Sequence, residues 1–212
     1  MGRLAHEQFA QAIIAVDTGD HDLAAKVGSD DEVLDQLERS IADQAVRVLA
    51  LRSPVADDLR SVITGLKMSG TLERIGDYAG GIARRSLAMG ASPSLPSLRA
   101  LIRMAKLALV QLDDALAAYA DGDAAKAEAV WGCDLEVDEQ YSGLFRQLLT
   151  FMMEDPRTIA ASSHLLFIAK NVERIGDLAT NICELAYYRV TGHSLGAGRP
   201  KGDTSSYALG GD

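Results

Sequence analysis

The residues whose type and spacing best fit chemistry are four acidic pairs: Asp31/Asp35, Glu73/Asp77, Asp134/Asp138 and Glu173/Asp177. Each pair is spaced i, i+4, which on an α-helix stacks two carboxylates on one face. Like charges so placed repel by about 0.2–0.5 kcal/mol per pair, so the spacing contributes nothing to stability. Two pairs that converge need a cation, a shared proton or a neighbouring arginine between them. All-oxygen donors suit hard ions such as Mg²⁺ or Mn²⁺, or oxidised iron, and argue against a thiolate-type zinc site. An isolated Glu-x-x-x-Asp is ordinarily a solvated face, with Arg74 and Arg174 at hand as local partners of little energetic weight. Two features weigh against that reading here. The pentapeptide Glu73-Arg-Ile-Gly-Asp77 recurs letter for letter as Glu173-Arg-Ile-Gly-Asp177 while most surrounding residues differ. Gly76 and Gly176 also fall mid-helix, where each costs about 1 kcal/mol relative to Ala, which points to close approach of a backbone or a ligand.

The elements that must position these pairs follow from a repeat. Asp20 and Asp31 lie eleven residues apart, as do Asp123 and Asp134, and Pro54 is matched by Pro156. With the duplicated pentapeptide, these landmarks make the chain a tandem duplication. Each unit reads as three helices. In the first, Arg3–Val16 is followed by the turn Asp17-Thr-Gly-Asp20. A long helix capped by Asp20 then runs to about Leu51, with Val27, Leu34, Leu37, Ile41 and Val48 at helical spacing. Ser53-Pro54 opens the third helix, which runs to about Met89. The Pro- and Ser-containing stretch 90–96 is a linker. In the second unit Ser97–Ala120, Gly122–Glu154 and a helix from Asp155-Pro156 to about Thr191 repeat the plan. The units span 1–90 and 97–191, and the Gly- and Ser-rich stretch 192–212 reads as disordered. The fold class is all-α: two tandem antiparallel three-helix bundles, the first helix short beside its counterpart.

Within each unit the two acidic pairs lie nearly equidistant from the proline turn, so they should sit at similar height on adjacent antiparallel helices. On a 100° wheel Glu73 and Asp77 oppose Ile75 and Ile82, and Glu173 and Asp177 oppose Ile175 and Ile182, which places the site on the bundle surface.

Composition bounds the function. The chain has 212 residues, 48% of them apolar and 5% aromatic, a balance that suits packed helices. Its net charge of −9 argues against nucleic acid or an anionic membrane as partner. No run of 18 apolar residues marks a transmembrane helix and no signal peptide opens the chain, so the expected location is the cytoplasm. Cys133 and Cys183 are expected to be buried thiols of a reducing compartment. His6, His21, His164 and His193 form no metal-ligand spacing, and no Walker loop, Gly-x-Ser-x-Gly elbow or dinucleotide fingerprint occurs. Trp131 is expected in the core at a bundle end. Arg84-Arg85 and Arg99/Arg103 read as solvated faces or as a match for an acidic patch on a partner.

The duplicated Glu-Arg-Ile-Gly-Asp, the Asp-x-x-x-Asp earlier in each unit, and Pro54-Val-Ala-Asp-Asp-Leu-Arg60 together resemble the PhoU family over roughly residues 1–190. The resemblance implies two three-helix bundles related by a pseudo-twofold axis, with multinuclear clusters of iron, manganese, magnesium or zinc at the bundle surface. Their implied ligands are Asp31, Asp35, Glu73, Asp77, Asp134, Asp138, Glu173 and Asp177. The implied role is regulatory and not catalytic. A homodimer links the ATPase subunit of a phosphate ABC transporter to a sensor histidine kinase and restrains phosphate uptake and starvation signalling. Two alternatives are an accessory role for an ion-coupled phosphate transporter and, less favoured, a metal-dependent phosphohydrolase. Family members usually begin further upstream, so the first helix reads as truncated.

Overall fold

Two long helices, α4 (Ala56–Met89) and α8 (Ile159–Thr191), form the axis on which every other element packs. In this computed structural model residues 1–29, 31–89, 96–133 and 135–195 are described, Asp31 and Pro96 without their side chains. Around α4 lie α1 (Gly2–Thr18), α2 (His21–Ser29) and α3 (Asp31–Arg52). Around α8 lie α5 (Pro96–Asp121), α6 (Ala124–Trp131) and α7 (Leu135–Glu154). The described residues contain no strand, as an all-α reading requires.

Why the chain turns where it does is plain at the first turn of each repeat. Gly19 and Gly122 take left-handed φ angles of 68° and 65°, a region that favours glycine. The next residue then caps the following helix. Asp20 Oδ1 accepts a hydrogen bond from the Leu23 amide, and Asp123 Oδ1 accepts one from the Lys126 amide, both at 2.9 Å. The expected caps are in place.

The long second helix expected in the second unit is instead two helices, a correction to the sequence reading. α6 ends at Trp131 before α7 begins at Leu135, whereas in the first unit α2 and α3 flank residue 30, which lies outside the described residues. The physical reason is local in the second repeat. Gly132 and Cys133 turn their amides back onto Glu128 and Val130 and close α6. The first repeat has Gly28-Ser29 at the matching place, and Ser29 Oγ donates to the Lys26 carbonyl. Apolar periodicity runs through the break between α6 and α7 and hides it.

The helix after the proline also differs between repeats. Asp155 caps a 3₁₀ turn, Pro156–Thr158, through its carboxylate and the Arg157 amide, and α8 follows directly. Pro54 is not the first residue of a helix. α4 starts at Ala56, and Ser53 and Ala56 carry positive φ angles of 43° and 48°.

One continuous apolar core joins both repeats, from Phe9 and Ile75 through Leu101 and Met104 to Ile168, Ile175 and Ile182. Burying side chains of this size stabilises by about 1.5–3 kcal/mol each. Cys183 is buried as expected, but Cys133 is exposed, because it sits on the turn that ends α6. Trp131 is half-buried, its Nε1–H donating to Glu184 at 3.1 Å. The stretches 90–95 and 196–212, read from sequence as linker and disordered tail, lie outside the described residues.

Candidate functional site

The glycine inside each Glu-Arg-Ile-Gly-Asp segment accounts for how the acidic pairs are brought level. A Cβ built on Gly76 would lie 2.4 Å from Leu34 Cδ1 and 3.1 Å from Gln8 Oε1. One built on Gly176 would lie 3.4 Å from Val137 Cγ1 and 3.5 Å from Gln111 Oε1. Each glycine is therefore a notch that receives one apolar side chain from α3 or α7 and one glutamine from α1 or α5. The close approach inferred from sequence exists, and the approaching groups are side chains of the protein itself.

Leu34 and Val137 are followed directly by Asp35 and Asp138. Seating Leu34 on Gly76 and Val137 on Gly176 thus sets Asp35 level with Glu73–Asp77, and Asp138 level with Glu173–Asp177. Gln8 and Gln111 were missed by the sequence reading. The signal was a pair of glutamines 103 residues apart on otherwise apolar helix faces, both buried.

In the second repeat the convergence is tight. Asp138 and Glu173 are only 5% and 4% exposed, and Asp177 is half-buried. The Glu173 carboxyl is raised above its ordinary range, chiefly because burial penalises the charged form. Lys170 opposes that shift, while the negative charges of Asp177 and Asp138 add to it. Lys170 Nζ sits 2.8 Å from Glu173 Oε1 and 5.0 Å from the centre of the Tyr141 ring. Glu173 Oε2 is buried and receives no hydrogen bond among the described residues. These facts correct the surface reading for this repeat. A single-helix wheel sees only the helix's own apolar stripe, whereas the neighbouring α7 covers the acidic flank.

In the first repeat the corresponding side chains are more open. Asp77 is exposed, Glu73 and Asp35 are half-buried, and Asp35 pairs loosely with Arg39 at 3.6 Å. The Asp31 side chain and Asp134, each expected to complete a quartet, lie outside the described residues. Among the described residues no three His, Cys, Asp or Glu side chains are set to hold a metal ion. Arg74 and Arg174, the local partners considered from sequence, turn to Tyr78. Arg74 Nη2 lies 3.4 Å from its hydroxyl and the Arg174 guanidinium 5.5 Å from its ring centre.

Comparison with known proteins decides the family. The family model "PhoU domain" matches twice, over residues 1–86 and 101–186, so that both repeats are matched.

The chain belongs to the PhoU family.

A relative from Caulobacter vibrioides (strain NA1000 / CB15N), named phosphate-specific transport system accessory protein PhoU homolog, is 47% identical over 207 residues, which is 97% of this chain and 90% of that protein. The Escherichia coli (strain K12) protein, named phosphate-specific transport system accessory protein PhoU, is 40% identical over 195 residues, covering 92% of this chain and 81% of its own length. The crystal structure of PhoU from Pseudomonas aeruginosa superposes with a TM-score of 0.85 at 38% identity, covering 91% of this chain and 93% of that one. Within this PhoU-family fold the donor chemistry of the second repeat fits a hard cation. It offers carboxylate oxygens only, one of them buried and without a hydrogen bond, and where no metal is held Lys170 supplies the opposing charge. Among the described residues no helix is long and apolar enough to cross a membrane.

Proposed function

We propose that this chain is a cytoplasmic regulatory adaptor of a phosphate-specific transport system. It acts as a homodimer, restraining uptake through the ATPase subunit of a phosphate ABC transporter and signalling through a sensor histidine kinase. The observation that carries this reading is likeness over most of the chain, across both repeats, to proteins named as accessory to that system. An adaptor needs rigid, shaped faces more than a reactive pocket, and a helical scaffold of two fused repeats supplies them.

In the same reading Asp31, Asp35, Glu73, Asp77, Asp134, Asp138, Glu173 and Asp177 hold cations such as iron, manganese, magnesium or zinc. What supports this is the matched height of the acidic pairs, the burial of Asp138 and Glu173, and the buried Glu173 Oε2 that receives no hydrogen bond among the described residues. A bound cation would favour the ionised form of Glu173, which burial alone disfavours.

The test has two arms. The chain, used as bait in phosphate-replete cells, is expected to retain the transporter ATPase or the kinase, and retention of neither would refute the adaptor role. Elemental analysis of the purified protein is expected to find metal that falls sharply in the double variant Asp138→Asn/Glu173→Gln. Equal metal content in both proteins would remove the metal from the proposal.

A further inference from the structure

The face between the repeats carries a cluster of charge opposite in sign to the molecule as a whole. Tyr78 lies beside Arg174, Gly81 beside Asn171 and Arg85 beside Phe167, so α4 and α8 run antiparallel here. Between them is an open groove of about 520 Å³ whose lining includes Arg84, Arg85, Lys170, Arg174 and His164 and no carboxylate. In a chain of net charge −9, Arg84, Arg85 and Arg174 along one groove add repulsion and no stability, while Lys170 at its edge is engaged by Glu173 at 2.8 Å.

How these cations are held matters more than their number. Among the described residues Arg84, Arg85 and Arg174 pair with no carboxylate. The Arg85 guanidinium lies 3.9 Å from the centre of the Phe167 ring, and Arg174 packs on Tyr78. Aromatic faces fix the planes of these two guanidinium groups while leaving their N–H forks unclaimed, an arrangement suited to phosphoryl oxygens. The paired glycines below serve the same end. A Cβ on Gly81 would stand 2.9 Å from Asn171 Nδ2, and one on Gly80 would stand 3.1 Å from an Arg84 guanidinium nitrogen. Side chains at these positions would crowd Asn171 and Arg84, and two mid-helix glycines cost about 1 kcal/mol each.

Duplication provides an internal control. One hundred positions away, Arg84 is matched by Glu184 and Arg85 by Leu185; in the other direction His164 is matched by Thr64 and Lys170 by Gly70. Only Arg174 keeps its type, as Arg74. The basic character is thus not a property of the repeat. It belongs to one junction.

We infer that the groove between α4 and α8 binds a small anion bearing several phosphoryl groups. Arg85 lies over Phe167, seven residues from Arg174 along α8, so the cationic strip is about 10 Å long, longer than a single orthophosphate can engage at once. The volume falls in the range of about 300–1,000 Å³ typical of small-molecule sites. A linear oligophosphate and a nucleoside triphosphate share the chemistry, and the two are separable by experiment. The inference does not depend on the metal or on the transporter reading.

Isothermal titration of the full chain, kept in EDTA so that no metal bridges an anion to the acidic faces, tests it with tripolyphosphate, ATP and orthophosphate. Tripolyphosphate or ATP should bind at least tenfold more tightly than orthophosphate, with affinity falling as salt rises. Tighter binding of ATP than of tripolyphosphate would assign the nucleotide as source, and the reverse would assign the oligophosphate. The Arg84→Gln/Arg85→Gln variant should lose at least tenfold, Arg174→Gln should lose less, and Arg3→Gln, on α1 and outside the groove, should lose nothing. Circular dichroism melts confirm that each variant is folded. Absence of binding at millimolar anion, equal binding of an oligoglutamate peptide, or full affinity in both groove variants would each overturn the inference.

Discussion

α3 and α7 descend from one template and are held very differently. α7 packs on both α5 and α8, whereas α3, among the described residues, packs chiefly on α4. The cause is readable residue by residue. α7 turns Val137, Tyr141, Leu144 and Leu148 inward, all buried. The positions 103 residues earlier are Leu34, Glu38, Ile41 and Ala45. Only Leu34 matches in both size and full burial, and Val46 and Leu51 stand in solvent. α5 is also the longer partner, 26 residues against 17 for α1. The axial helices kept their glycine notch and their acids in both copies, and the outer helix drifted. The acidic site inherits the difference: buried beside α7, open beside α3.

The largest effect should come from removing what anchors α7. Leu148 is fully buried, and Leu148→Ala should cost about 2–5 kcal/mol. Val46→Ala on α3, where the side chain is 63% exposed, should stay within about 0.5 kcal/mol. Urea titrations of both variants measure this directly. Comparable losses would mean that α3 is held as firmly as α7, and the contrast between the repeats would fail.

The notch sharpens the comparison at smaller scale. Replacing a mid-helix glycine by alanine gains about 1 kcal/mol of helix propensity. At Gly176 the new methyl meets Val137 and Gln111 at near-ordinary contact distance, so Gly176→Ala should be neutral or stabilising. At Gly76 it collides with Leu34, a buried side chain with little freedom to move, and overpacking of this kind costs about 1–3 kcal/mol. Gly76→Ala should therefore melt below Gly176→Ala, and the reverse order would show that Leu34 can swing aside.

Much of this arrangement is written in local chemistry. The ends of α1, α4, α5 and α8 fall within two residues of where glycine, proline and the fading of periodicity place them, except at the start of α8, where the 3₁₀ turn Pro156–Thr158 intervenes. The level of the acidic pairs also followed from counting outward from each proline. What stayed hidden depends on a second element. The break before α7 interrupts an apolar rhythm that continues on either side, so periodicity alone favours one long helix. Burial of Asp138 and Glu173 is set by α7 lying across α8, and only that burial distinguishes the i, i+3 pair Lys170–Glu173 from any exposed helix pair. The basic groove needs α4 and α8 together. Arg84 and Arg85 look like any solvated pair until the partner helix supplies Lys170, Arg174 and the ring of Phe167.

The smallest of these effects lies at the turns before the axial helices. Asp155 accepts from the Arg157 amide at 3.0 Å, and its carboxylate is also gripped by the Arg157 guanidinium, which holds the carboxyl below its ordinary range. Asp155→Ala removes the cap of the 3₁₀ turn and should lower the melting temperature slightly. Ser53, at the matching place in the first repeat, sits at a φ of 43°, where a non-glycine residue is strained. Ser53→Ala gives up no comparable cap and should be close to neutral, whereas Ser53→Gly should gain stability by relieving the backbone. The Asp155 contribution also carries a pH signature. A depressed carboxyl stabilises the folded state above its unfolded pKa, and that stability is lost as pH falls through the folded value. The gap between wild type and Asp155→Ala should accordingly be full at neutral pH and close in acid, while the Ser53 variants keep a constant offset. Melting curves at pH 7 and pH 3 distinguish the two turns, and a pH-independent Asp155 effect would assign its role to backbone geometry alone.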